Sequence, residues 1–125
     1  MNAIDMRHSL NSGQAFLWER MEQHWYVVDG QDVLRISDSG SLESYAGNNT
    51  DYLRSTDDID GMMDRICRDP VIAGAAKRWG GLRLLRQDPF QCMVSFIASA
   101  NSSIPRIRSC LERLTMKCGE TTLTV

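Results

Sequence analysis

Asn101-Ser102-Ser103 directly follow an apolar run and precede Ile104-Pro105-Arg106. Amide and hydroxyl side chains at such a junction can do two things. They can cap the helix that follows by accepting hydrogen bonds from its free N–H groups. They can also offer donors and acceptors to a nucleobase edge, with Arg106 one turn on as a bidentate donor. Local chemistry alone leaves both open. The sequence carries no Gly-rich phosphate loop, no H-E-x-x-H and no Ser/His/Asp set. Its lysines, Lys77 and Lys117, stand near helix C-termini, where dipole complementarity explains them. A Schiff-base lysine needs a desolvated pocket, and neither context suggests one. Cys67, Cys92, Cys110 and Cys118 form no C-x-x-C pair and read as reduced thiols filling core space. No metal or other cofactor is implied. His8 and His24 have no partner nearby in sequence and read as ordinary.

The elements that must position this junction fall into two halves. Residues 14–46 read as strands. Trp25-Tyr26-Val27-Val28, Asp29-Gly30 and Val33-Leu34-Arg35-Ile36 spell a hairpin with the Asp-Gly pair at its centre. Phe16-Leu17-Trp18 precedes it, and Asp38-Ser39-Gly40 turns the chain toward Leu42 and Tyr45. An antiparallel meander of about four strands follows, solvated on one face and needing a helical partner on the other.

From Ser55 onward the period is helical. Ser55 to Asp58 offers a cap before Ile59, Met62, Met63 and Ile66. Asp69-Pro70 opens a second helix that ends in Lys77-Arg78 before Gly80-Gly81. Asp88-Pro89-Phe90-Gln91 repeats the device. The helix it starts, Phe90 to about Ala100, is apolar almost all round and reads as the buried central one. Ile104, Ile107, Leu111 and Leu114 mark a last amphipathic helix, stopped by Gly119. Thr121 to Val125 reads as a β-prone tail. Several apolar faces find no partner in these elements, so a further segment is expected to supply the other wall of the core.

With 125 residues, 42% hydrophobic and 24% charged, the chain has the size and balance of a globular domain. Its longest apolar run, Met93 to Ala100 interrupted by Ser95 and Ser99, is too short to span a bilayer, and no charged-then-apolar leader opens the chain. No membrane partner and no export are expected, which leaves the cytoplasm or the nucleus. The net charge of -2 hides an asymmetry. Residues 1–75 hold six Arg/Lys against thirteen Asp/Glu, whereas residues 76–125 hold eight against three. A basic contact face would produce this, and so would an acidic surface that happens to precede a basic one.

The stretch from Gly81 to Ile107 contains Leu84-Leu85-Arg86-Gln87-Asp88-Pro89-Phe90-Gln91-Cys92, then Ser95-Phe96-Ile97 and Asn101-Ser102-Ser103-Ile104-Pro105-Arg106-Ile107. It resembles the signature of the 8-oxoguanine DNA glycosylases, L-R-Q-D-P-x-E-C-x-x-S-F-I-x-S-x-N-N-x-I-x-R-I. Ser12-Gly13-Gln14-Ala15-Phe16-Leu17-Trp18 is similar to a second family segment, S-G-Q-x-F-R-W. The two occur in the family's order. This sequence departs at Leu17 for Arg, Gln91 for Glu and Ser102 for a frequent Asn.

The resemblance implies an α+β fold. A TBP-like antiparallel sheet domain over residues 1–50 would precede the first helices of a helical glycosylase domain over 51–125, ending before the helix-hairpin-helix. It implies an enzyme that flips 8-oxoguanine out of duplex DNA where it lies opposite cytosine, excises it and nicks the abasic strand through a lysine Schiff base. By motif position, Gly13 corresponds to the glycine whose carbonyl accepts the extra N7 hydrogen of the lesion. Asn101 corresponds to the residue that fills the gap beside the orphaned cytosine, and Arg106 to an arginine that reads it. Gln14, Phe16, Ser102 and Ser103 complete the candidate DNA-binding set. The family's catalytic Lys and Asp match no position here, so these residues are expected to be inactive alone. The compartment would be nuclear in a eukaryote and cytoplasmic in an archaeon or bacterium. A non-catalytic DNA-binding or interaction module is the alternative.

Overall fold

The computed structural model describes residues 3–49 and 51–120. The tail expected to be β-prone lies outside the described residues. The chain runs α1 (Met6–Asn11), β1 (Trp18–Met21), β2 (His24–Asp29), β3 (Asp32–Ser37), β4 (Leu42–Ser44), α2 (Ile59–Ile66), α3 (Pro70–Trp79), α4 (Pro89–Ser99) and α5 (Ile104–Cys118). The four strands form the expected antiparallel meander in sequence order. This α+β arrangement, with one short helix before the sheet and four helices after it, is the expected class.

Side-chain alternation decides which sheet face is buried. Trp25, Val27, Leu34 and Ile36 point to one side and are almost completely buried there. Met6 and Leu10 of α1, together with Tyr52, Leu53 and Leu85, close over them. The opposite face carries the cross-strand row Glu19, Tyr26, Arg35 and Glu43, in which Arg35 and Glu43 pair at 3.0 Å. A second, smaller cluster joins Phe16 to Ile107 and Leu111 of α5.

The hairpin turn sits one residue later than expected. Asp29 pairs with Asp32, so Gly30 and Gln31 are its central residues rather than Asp29 and Gly30. Only Gly30 has a positive φ, +62°, which is the pattern of a II′ rather than a I′ turn. This shift frees the Asp29 carboxylate to bond elsewhere. Its Oδ1 accepts from the Asp88 N–H at 2.6 Å, and its Oδ2 from Asn49 Nδ2 at 2.6 Å. Asp32, also buried, accepts from the Ser44 hydroxyl and, at 2.8 Å, from the Ala46 N–H.

The helix starts follow the Asp and Asp-Pro signals. Asp58, Asp69 and Asp88 each accept from N–H groups of the first turn, with Pro70 and Pro89 just inside. The Gln91 side chain, by contrast, does not fold back on its own cap. Its Oε1 accepts from Gly30 N–H and its Nε2 donates to Val28 O, both at 2.8 Å, tying α4 to the hairpin tip.

Two expectations fail. Helix α4 is not the buried centre: Ser95 is its sole buried residue, while Phe90, Phe96 and Ile97 are 70%, 78% and 66% exposed. An all-round apolar helix needs a surface on every side, and the described residues cover one side of it. The cysteines are not core fillers either. Cys92, Cys110 and Cys118 are exposed and Cys67 half-buried, all as free thiols.

The exposed apolar face makes a direct prediction. Residues 1–125 alone should bind a hydrophobic dye and self-associate, and Phe96→Asp should reduce both without loss of stability. Dye fluorescence and sedimentation check this; an unchanged signal would locate the sticky surface elsewhere. A second prediction follows from Asp32. Burial raises its pKa, but the hydrogen bonds from Ser44, Ala46, Asn49 and Val33 outweigh this and hold it below its ordinary 3.8. A carboxylate lowered in the folded state stabilises above its unfolded pKa and loses that contribution as pH falls through the folded value. Stability should therefore fall with acidification below about pH 4, and Asp32→Asn should flatten that slope while lowering stability at neutral pH. Denaturant melts across pH provide the check.

Candidate nucleic-acid interface

The two signature segments, about sixty residues apart, meet in space. Gly13 lies in the turn after α1 at φ +85°, and a Cβ there would stand 3.6 Å from Ile104 Cδ1. Three residues on, Phe16 is 7% exposed and packs against Ile107 and Leu111. Arg108 of α5 donates from Nη2 to Trp18 O, and its guanidinium lies 4.4 Å from the centre of the Trp18 ring. The first segment thus lies against α5, packed through Phe16 and hydrogen-bonded through Trp18.

Gln14 is bonded within the chain. Its Nε2 donates to Arg83 O at 2.8 Å, and its Oε1 accepts from Leu85 N–H at 3.0 Å. Its own carbonyl accepts from Gln87 Nε2 at 2.8 Å. Gln14 and Phe16 therefore position their neighbour rather than face outward. Gly13 is exposed, and its carbonyl accepts no hydrogen bond among the described residues.

The junction behaves differently. Asn101 adopts φ +50°, a left-handed conformation that asparagine tolerates better than most side chains. Ser103 is the N-cap residue of α5 by position, yet its side chain makes no capping bond. The capping alternative for this stretch is thus not realised. Asn101, Ser102, Ser103 and Arg106 are all exposed. Among the described residues, none of their side chains makes a hydrogen bond or ion pair. Three donor- and acceptor-bearing side chains and one guanidinium stand open around the start of α5, whose first residue, Ile104, lies against Gly13.

The histidines have partners the sequence did not reveal. His8 Nδ1 lies 2.7 Å from Asp5 Oδ2 and its ring meets the Trp79 ring edge-on at 4.7 Å, while His24 approaches Arg35 at 3.5 Å. The described residues hold no cluster of three His, Cys, Asp or Glu able to bind a metal, and no helix long and apolar enough to cross a membrane.

Residues 1–93 match the family model of the N-terminal domain of 8-oxoguanine DNA glycosylase. The chain belongs to this family. Among curated proteins, it is similar to the N-glycosylase/DNA lyase OGG1 of Arabidopsis thaliana, 42% identical over 40 residues. That match takes in 32% of this chain and 11% of the Arabidopsis protein. Among solved structures, MBOgg1 in complex with a low-affinity DNA ligand is 30% identical with a TM-score of 0.82. The 8-oxoguanine glycosylase/lyase of Clostridium acetobutylicum, bound to duplex DNA with cytosine opposite 8-oxoG, is 26% identical with a TM-score of 0.81. Each of these two structural matches covers 94% of this chain; the chain spans 44% of MBOgg1 and 43% of the clostridial protein.

Within this glycosylase-family chain, Gln14 should be more than a polar surface residue. Gln14→Glu places a carboxylate against Arg83 O and removes the donor, which should cost roughly 1–3 kcal/mol. Chemical denaturation checks it; a loss within about 0.5 kcal/mol would assign Gln14 an ordinary surface role.

Proposed function

We propose that residues 1–125 form the N-terminal portion of a base-excision-repair enzyme that excises 8-oxoguanine from duplex DNA and nicks the abasic strand. In this reading, residues 1–50 are the sheet domain and 51–125 the first helices of the glycosylase domain. The core crosses that division through Tyr52, Leu53 and Leu85, so the two parts pack as one unit. The observation that carries the reading is that Gly13, whose carbonyl accepts no bond among the described residues, lies against the start of α5, the helix that carries Arg106 and follows Asn101.

The chemistry explains the two poles. Oxidation of guanine at C8 leaves a hydrogen on N7, so the lesion donates where guanine accepts. A fixed backbone carbonyl, here that of Gly13, accepts from the lesion and repels guanine. Extruding the base leaves a gap and an unpaired cytosine. Asn101 fills that gap, and Arg106 reads the cytosine edge as a bidentate donor. Ser102 and Ser103 supply further polar contacts at the same rim. The bond-breaking lysine and its partner carboxylate belong to the remainder of the enzyme. Among this chain's lysines, Lys77 lies in the last turn of α3 and Lys117 in that of α5.

Two measurements test this. Borohydride treatment of residues 1–125 with an 8-oxoguanine duplex should trap no covalent adduct; an adduct would place a nucleophile within the chain. In the full-length protein, Arg106→Ala should narrow the excision-rate gap between 8-oxoguanine opposite C and opposite A. A bidentate contact of about 1–3 kcal/mol corresponds to very roughly ten- to a hundredfold. Lys77→Ala should leave that ratio alone and slightly reduce the salt slope. Arg106 variants that lose stability but keep the C-to-A ratio would reassign the junction to a structural role.

A further inference from the structure

We propose that Arg108 is a positioning residue that sets the placement of the Gly13 carbonyl, and through it the discrimination of 8-oxoguanine from guanine. This rests on the reading of Gly13 given above. Gly13 has no side chain to anchor it, and it follows a helix of six residues. Its immediate successor Gln14 fixes the segment toward residues 83–87. Nothing in that set of bonds fixes the segment relative to α5, where Asn101 and Arg106 stand.

Arg108 provides that connection. Its guanidinium lies over the Trp18 ring at 4.4 Å, and its Nη2 donates to Trp18 O. Its Nε donates to Glu112 Oε1 at 3.1 Å, one turn further along α5, which holds the planar group in place. Trp18 in turn donates from Nε1 to Ala15 O at 3.2 Å, and its ring meets Trp25 of the core edge-on at 5.5 Å. The links run from α5 through Arg108 and Trp18 to Ala15, two residues from Gly13. Phe16 between them is packed against Ile107 and Leu111 but has no directional bond to either. Apolar packing fixes distance loosely, whereas a stacked planar cation with directed hydrogen bonds fixes orientation. Arg108 also stands two residues from Arg106 on the same helix, so one rigid element carries both the cytosine reader and the fastener of the lesion-facing loop. A lysine would keep the charge and lose both the flat stack and the fork of donors.

The test combines two readouts. Hydrogen exchange on residues 1–125 should show the amides from Gly13 to Trp18 exchanging at least tenfold faster in Arg108→Ala, with β2 and β3 amides unchanged. Arg108→Lys should fall between. An unchanged rate in the 13–18 segment overturns the clamp. Should Arg108→Ala unfold globally, Arg108→Lys alone decides, by faster exchange confined to that segment or by none. The second readout is binding of the full-length protein to 8-oxoguanine:C against guanine:C duplexes. Arg108→Ala should reduce that preference several-fold with little change on guanine:C, and Arg108→Lys should restore part of it. Equal weakening on both duplexes would overturn the link to discrimination. A wild-type protein without any preference would defeat the Gly13 reading itself, while the exchange measurement still decides whether Arg108 holds the loop.

Discussion

A stretch of chain from Leu82 to Asp88 runs extended between α3 and α4 with no strand beside it. Leu85 at its centre is buried, so the backbone groups around it must find partners or cost about 1–3 kcal/mol each. The chain meets this with side chains. Ser9 Oγ accepts from Arg83 N–H at 3.0 Å, and Asn49 Nδ2 donates to Arg86 O at 3.0 Å. The Arg86 N–H reaches Tyr52 O at 2.8 Å, and Asp29 takes the Asp88 N–H. Gln14 binds Arg83 O and Leu85 N–H with one primary amide. Those two groups lie on one edge of an extended chain, and an amide offers the donor and acceptor that a neighbouring peptide would offer. Gln14 therefore acts as a one-residue strand.

The rest of the architecture hangs from that segment. Its C-terminal end is the cap of α4, and Asp29 and Gln91 lock that cap to the hairpin tip. The direction of α4 then determines where its far end delivers Asn101. At the other end of the same network, Gln14 adjoins Gly13. One set of hydrogen bonds thus reaches both poles of the interface, the glycine turn directly and the Asn101–Arg106 junction through a helix of eleven residues.

What could be read in the sequence is what local physics controls. Alternation and turn chemistry yielded the four strands, and the Asp-Pro pairs yielded the helix starts, because a cap is decided within four residues. Helix α1 went unread: six residues are too few to form a helix unaided, and it exists through the Asp5 cap and burial of Met6 and Leu10. The exposure of α4 was illegible because composition states what a helix wants covered, not what covers it. For the candidate interface, the signature spacing named two segments that the fold brings together. It could not separate Asn101 and Arg106, which face outward, from Gln14 and Phe16, which face inward. Arg108 carried no signal at all, since its partner Trp18 is ninety residues away in sequence.

The charge asymmetry also has a specific resolution. Two cations of the second half are used on the first: Arg86 pairs with Asp51 at 3.3 Å, and Arg108 lies over Trp18. Part of the excess is therefore internal complementarity between the two segments. With fourteen Arg and Lys against sixteen Asp and Glu, the chain is not basic as a whole, so its surplus of cations for phosphates is confined to the second half. The side chains it leaves open at the junction, two hydroxyls, an amide and one guanidinium, instead suit base edges. Contacts of that kind add discrimination more than affinity. In the proposed enzyme this portion would contribute recognition of the lesion and its opposite base more than grip on the duplex. That division suits a surface whose reading groups stand on elements fixed by internal bonds: discrimination needs a carbonyl and a guanidinium carried on well-placed backbone, and both stand here on elements tied to one network.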